Sequence, residues 1–77
     1  MRRETFEEAL RRVNRAVPFQ PYTVELMNGE RLMGTHPELF VFEGDLVIYE
    51  EVGGFFTYFD ATCVVRIINV VVPLGKH

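Results

Sequence analysis

The chain has 77 residues, of which 48% are hydrophobic, and a formal net charge of −3. A chain of this length predicts one domain (1–77), near the lower size limit for independent folding. Its single cysteine excludes an internal disulfide and a cysteine metal cluster. The chain shows no basic-then-apolar leader and no apolar run near the roughly 20 residues of a membrane span. We therefore expect a soluble, cytoplasmic protein with no membrane partner.

Charge is divided unevenly along the chain. Residues 1–15 contain five arginines and three glutamates, whereas residues 16–77 contain three basic and eight acidic residues. No Lys or Arg lies between Arg31 and Arg66. A general nucleic-acid binder needs a basic surface along the phosphates, and here only the N-terminal segment could supply one.

An N-terminal amphipathic helix is predicted over 5–17. Its apolar residues form one stripe at helical spacing: Phe6, Ala9, Leu10, Val13, Ala16 and Val17. Thr5 and Glu8 form a T-x-x-E capping box, and Pro18 requires the helix to end before it. Three arginines near the helix end suit the helix dipole and are the candidate RNA-binding residues: Arg11, Arg12 and Arg15.

The segment YTVELMNGERLMG, from Tyr22 to Gly34, predicts a β-hairpin. Apolar and polar residues alternate over its first half, which is the period of a strand with one buried face. Asn28-Gly29 supplies the positive φ angles of a tight turn. A two-residue loop would pair Leu26 with Arg31. A three-residue loop with a glycine bulge would pair Leu26 with Leu32, and we prefer it because it keeps both leucines in the core.

Short strands complete a predicted β-barrel over 22–72, which a tail at 73–77 follows. His36-Pro37-Glu38 breaks or bends the second strand, because proline cannot donate to the ladder. Asp60 can cap a short 3₁₀ turn before the last strand. Further strands are predicted at residues 39–42, 46–51, 55–59 and 64–72. One helix and about five bent strands predict a mainly β fold, a small five-stranded antiparallel barrel.

This plan resembles the Sm-like and SH3-like barrels. Residues 26–34, LMNGERLMG, resemble the L-x-N-G-x-x-L-x-G hairpin of Hfq, the bacterial Sm-like RNA chaperone. The YFDA sequence at 58–61 falls where that family has Y-K-H-A, whose lysine and histidine contact RNA. Phe59 and Asp60 occupy those two positions here. The resemblance thus implies the architecture and not the family's RNA site.

A second resemblance covers residues 18–38 and 64–67. The PFQPY connector, the hairpin, the HPE turn and the VVRI strand are similar to a group of small uncharacterised bacterial proteins. That group has a P-F-x-P-F/Y connector, an L-x-D/N-G hairpin, an H-P-E turn and a V-x-R-I-like strand. Because no activity is established for it, this resemblance implies a fold and no function.

No residue pattern predicts catalysis, a metal or a cofactor. The sequence lacks G-x-S-x-G, a glycine-rich phosphate loop and H-E-x-x-H. His36 and Glu38 are the only neighbouring His and carboxylate, and a metal site would need a further ligand such as Asp60. These three are the candidate ligand-binding residues. Since a histidine before proline is more often a strand-end residue, we predict that the protein is not an enzyme.

The aromatic residues between positions 40 and 59 predict both a core and an interface: Phe40, Phe42, Tyr49, Phe55, Phe56, Tyr58 and Phe59. Acidic residues flank them, whereas aromatic stacking on nucleic-acid bases goes with a positive groove. We predict a non-catalytic interaction or assembly module that forms a homo-oligomer through apolar strand edges. RNA binding through the helix arginines is the alternative.

Overall fold

The structure is a computed structural model that describes residues 1–51 and 53–69. Its elements, in chain order, are α1 (Arg3–Arg15), β1 (Tyr22–Leu26), β2 (Arg31–Gly34), β3 (Phe40–Glu43), β4 (Leu46–Glu50), β5 (Phe56–Asp60), a 3₁₀ turn (Ala61–Cys63) and β6 (Val64–Asn69). The predicted mainly β fold with one N-terminal helix is confirmed. The predicted strand residues 70–72 and the tail 73–77 lie outside the described residues.

Helix α1 begins and ends two residues before the predicted bounds. Its N-cap is Arg2, whose carbonyl oxygen accepts from the Phe6 N–H at 2.9 Å, and among the described residues no side chain caps the helix. The predicted capping box at Thr5 is therefore wrong. The Met1 amino group donates to the Val64 carbonyl oxygen at 2.6 Å, which anchors the chain start beside β6. The backbone is already helical at Arg3, two residues before Thr5.

The strands form two three-stranded antiparallel sheets. Sheet A has the order β2-β1-β6, and sheet B has the order β3-β4-β5. Within the described residues the strands do not close into a barrel, and they number six, not the predicted five. The extra break lies between β2 and β3, where Pro37 cannot donate to a ladder and Glu38 has a φ of 68°.

The β1–β2 hairpin has a different register from the predicted one. Leu32 lies opposite Val24, so the predicted pairing of Leu26 with Leu32 is wrong. The Leu26 N–H donates to the Glu30 carbonyl at 2.8 Å, and the Gly29 N–H donates to the Leu26 carbonyl at 2.9 Å. A shift of two residues keeps every side chain on its original face. Both leucines are therefore in the core, as predicted.

The core lies between the two sheets and the helix. It contains Phe6, Leu10, Tyr22, Val24, Leu26, Leu32, Phe40, Val47, Tyr49, Phe59, Ala61 and Val64. The Phe6 ring packs edge-on against Phe42 at 5.6 Å and Phe40 at 6.2 Å, which joins α1 to sheet B. The Tyr49 hydroxyl donates to the Met33 carbonyl at 2.7 Å and joins sheet B to β2. No helix in the described part of the chain is long and apolar enough to span a membrane.

Candidate interaction surface

Sheet B has one face in the core and one on the surface. Along β4, Val47 and Tyr49 are buried, so the side chains between and beside them point outward. The strand register places Val41, Ile48 and Tyr58 directly opposite one another across the sheet. Opposed residues carry their side chains on the same face. These three residues therefore form one apolar row on the outside of the sheet.

Two further rows flank that apolar row. Leu46 lies between Glu43 and Asp60, and Phe56 lies opposite Glu50. We call the eight residues of all three rows the outer face: Val41, Glu43, Leu46, Ile48, Glu50, Phe56, Tyr58 and Asp60. Its aromatic members are half exposed, Phe56 at 54% and Tyr58 at 59%. The outer face thus has an apolar centre with carboxylates at both ends, a composition typical of interaction sites.

The corresponding surface of sheet A contains an ion-paired group, beside which Met33 is 51% exposed. Glu25 lies opposite Arg31 on one side and Arg66 on the other. The Arg66 Nε donates to Glu25 Oε1 at 2.6 Å, and the Arg31 guanidinium lies 3.8 Å from Glu25 Oε2. Sheet B has no such pairing, because the sequence contains no Lys or Arg between these two arginines. The two sheets therefore present different chemistry to solvent.

The structure brings the three candidate arginines of α1 together. Arg11, Arg12 and Arg15 line one shallow surface depression with Glu8. The Arg12 guanidinium lies 3.6 Å from the Glu8 carboxylate, and that of Arg11 lies 3.8 Å from the Glu7 carboxylate. Arg15 is exposed and forms no ion pair with another described residue.

An exposed apolar side chain follows these arginines in the chain. The backbone leaves the helix at Ala16, and Val17 immediately after it is 95% exposed. We call this group the basic end of the helix: Arg11, Arg12, Arg15 and Val17. It combines positive charge with an uncovered apolar group, whereas the outer face of sheet B combines negative charge with apolar groups.

The three candidate ligand-binding residues do not come together in one depression. His36 lines a surface depression with Tyr49, whereas Glu38 lines a different one beside Arg11. Asp60 lines neither of these depressions. In the described part of the chain, no three His, Cys, Asp or Glu side chains are grouped so that they could hold a metal ion.

Phe59 and Asp60 have structural contacts of their own. Phe59 is 8% exposed and packs near Phe6 in the core. The Asp60 carboxylate accepts from the Thr62 N–H at 2.8 Å and from the Thr62 hydroxyl at 2.7 Å, which confirms the predicted cap of the 3₁₀ turn. These hydrogen bonds hold the pKa of Asp60 below its usual range. A buried ring and an engaged carboxylate cannot replace the Hfq lysine and histidine at phosphate.

The structure buries part of the aromatic residues, as predicted, and exposes others, for which the predicted subunit interface stays a prediction. Core positions are occupied by Phe40, Tyr49 and Phe59, whereas solvent-exposed positions are occupied by Phe55, Phe56 and Tyr58. Sequence reasoning did not identify Val41, Leu46 or Ile48 as surface residues. The signal that could have found two of them is the unbroken apolar run Leu46–Tyr49, because an apolar strand without alternation has two apolar faces.

Comparison of the chain with protein-family models, with curated proteins and with solved structures returned no match. The function proposed below therefore depends on the chain's own residues. The resemblances to Sm-like proteins and to the small bacterial group stay predictions.

Proposed function

We propose that this protein is a non-catalytic interaction and assembly module that forms a homo-oligomer. The observation that carries the proposal is the outer face of sheet B, where Val41, Phe56 and Tyr58 are each more than half exposed in a single chain. Each Å² of apolar surface removed from water contributes about 25 cal/mol. Covering this face with another protein surface would therefore be favourable.

Free strand edges also support assembly. In the described residues, β5 lies at one edge of sheet B and β6 at one edge of sheet A. Only the 3₁₀ turn Ala61–Cys63 separates these two strands along the chain. Edge strands have unpaired N–H and C=O groups that pair readily with strands of another chain. The module thus has backbone as well as side-chain groups available for a second copy.

We propose an Sm-like barrel as the architecture of this module. If β2 and β3 are the two halves of one bent strand interrupted at Pro37, the six strands become the five of that barrel. Contacts between the sheets support this interpretation. The Tyr22 and Phe40 rings lie 6.1 Å apart, and the Tyr49 hydroxyl of β4 donates a hydrogen bond to the Met33 carbonyl oxygen of β2. The gap between β5 and β6 stays open in this barrel, so both edges are left for strands of a second copy.

The mass in solution, measured by light scattering on a sizing column, tests the proposal. We expect a multiple of the 9.0 kDa chain mass. The double variant Phe56→Ser/Tyr58→Ser should reduce it to one chain, because it removes apolar area from the outer face. Met27→Ser is the matched control, since Met27 is also exposed, at 73%, but lies in the hairpin turn. A wild-type protein of one-chain mass at all concentrations would contradict the proposal.

RNA binding is the second candidate function. The observation in its favour is the shared surface of Arg11, Arg12 and Arg15, which line one depression. Titration with a labelled single-stranded RNA at low salt tests it. Binding that weakens with salt and disappears in Arg11→Glu/Arg12→Glu/Arg15→Glu would support this function. Absence of binding at low salt would exclude it.

A further inference from the structure

We infer that the outer face of one copy binds the basic end of the helix of a second copy, head to tail. The inference depends on the proposed function, because it names the two surfaces through which the homo-oligomer forms. Every chain has both surfaces. Each copy would therefore bind one neighbour through its outer face and a second neighbour through its basic end.

Charge complementarity selects the occupant of the outer face. Carboxylates lie at both ends of the apolar centre, Glu43 and Asp60 beside Leu46 and Glu50 beside Phe56. No Lys or Arg of the same sheet neutralises Glu43 or Glu50, whereas the Asp60 carboxylate is already bound by Thr62. A partner must therefore be apolar where it meets the centre and positive where it meets the ends, as electrostatic complementarity across interfaces requires.

The basic end has these properties. The Arg11–Glu7 and Arg12–Glu8 ion pairs lie at the surface, with nitrogen–oxygen distances of 3.8 Å and 3.6 Å. Surface ion pairs contribute little to stability, so these arginines can exchange their partners for carboxylates of another chain. Arginine also stacks its guanidinium on aromatic rings and covers apolar surface with its aliphatic stem. Val17, at 95% exposure and two residues after Arg15, offers an apolar group at the end of the same helix.

A chain cannot cover its own outer face in this way. Helix α1 inserts Phe6 among the inner side chains of sheet B, at 5.6 Å from Phe42 and 6.3 Å from Phe59. The helix therefore lies on the side of sheet B opposite to the outer face. The contact between outer face and basic end must be intermolecular. Because the two surfaces differ, it is a heterologous contact, which closes into a ring or continues as a filament.

Charge reversal with complementation tests the inference. The first variant, Glu43→Lys/Glu50→Lys, makes the ends of the outer face positive. The second variant, Arg12→Glu/Arg15→Glu, makes the basic end negative. Each alone should have the mass of one chain, 9.0 kDa, because its two surfaces now repel. An equimolar mixture should reassociate, to the wild-type mass where the wild-type oligomer has an even number of copies, since each variant then meets a complementary surface on the other.

The control for the first variant is Glu4→Lys/Glu30→Lys, which makes the same change in net charge as that variant at two exposed residues outside both surfaces. It should keep the wild-type mass. Circular dichroism checks that every variant is folded. If a reversed chain unfolds, the neutral changes Glu50→Gln and Arg15→Gln replace it, and each should raise the dissociation constant of the oligomer about threefold.

The outcomes separate the inference from the function it depends on. A wild-type monomer overturns both. A wild-type oligomer whose mass survives in each charge-reversed variant overturns the inference and leaves homo-oligomeric assembly standing, through the strand edges. Two monomeric variants that do not recover mass on mixing also overturn it. Only recovery on mixing, with the control unchanged, supports the head-to-tail contact.

Discussion

Gly34→Ala is the substitution whose effect follows most directly from the structure. Gly34 lies opposite Tyr22 in the β1–β2 ladder, and the Tyr22 ring lies over it. A Cβ at this position would lie less than 3.0 Å from three atoms of that ring. The ring cannot move away easily, because it packs at 6.2 Å from Phe19 and 6.1 Å from Phe40. Its hydroxyl also donates to the Asn14 side-chain oxygen at 3.1 Å.

The cost of this substitution is an overpacking cost. Forcing an extra carbon into a well-packed core destabilises a protein by about 1–3 kcal/mol. Since the ring is held on two sides and at its hydroxyl, we expect the middle of that range, about 2 kcal/mol. For a domain of this size, that loss lowers the melting temperature by about 8–16 °C.

Thermal and urea unfolding followed by circular dichroism measure the effect. Gly29→Ala is the matched control, because its φ of 89° makes alanine strained although nothing lies within 4 Å of the added Cβ. It should cost about 1 kcal/mol through the backbone alone. In a Tyr22→Leu background, Gly34→Ala should lose most of its cost while Gly29→Ala keeps it. An equal cost of Gly34→Ala in both backgrounds would refute the steric explanation.

The other predictions concern pH. Burial, with a smaller contribution from Tyr49, raises the pKa of Tyr22 from 10.0 to about 12. Because the unfolded chain loses this proton at a lower pH than the folded chain, the folded state should lose stability as pH rises from 10.0 to about 12. Tyr22→Phe should remove this alkaline loss in urea unfolding at a series of pH values, and an unchanged profile would contradict it. The lowered pKa of Asp60 stabilises the folded state above the ordinary carboxyl value of 3.8, and this contribution is lost as pH falls below it. In Asp60→Asn, the free energy of unfolding should therefore fall less steeply with pH on the acid side than in the wild type. An equally steep fall would contradict the contribution of the Asp60 carboxylate.

Local sequence features predicted several elements correctly. The alternation from Tyr22 to Leu26 puts Tyr22, Val24 and Leu26 in the core, and all three are buried. Asp60 caps the 3₁₀ turn as predicted. These outcomes depend on residues that are neighbours in the chain, so the sequence alone contains the physical cause. The candidate site was predicted less well, because only the aromatic part of the outer face and the helix arginines were named.

The sequence by itself thus determined the mainly β fold, the N-terminal helix and the faces of the alternating strand, since periodicity and turn residues act over a few positions. Only the tertiary structure decided the remaining features. The turn geometry sets the pairing of Leu32 with Val24, and both the position of β6 beside β1 and the Met1 contact with Val64 join residues that are distant in the chain. The run Leu46–Tyr49 is apolar throughout, so its sequence does not state which face is covered. The packing of Phe6 on sheet B determines which face of the sheet is covered, and it leaves the outer face exposed.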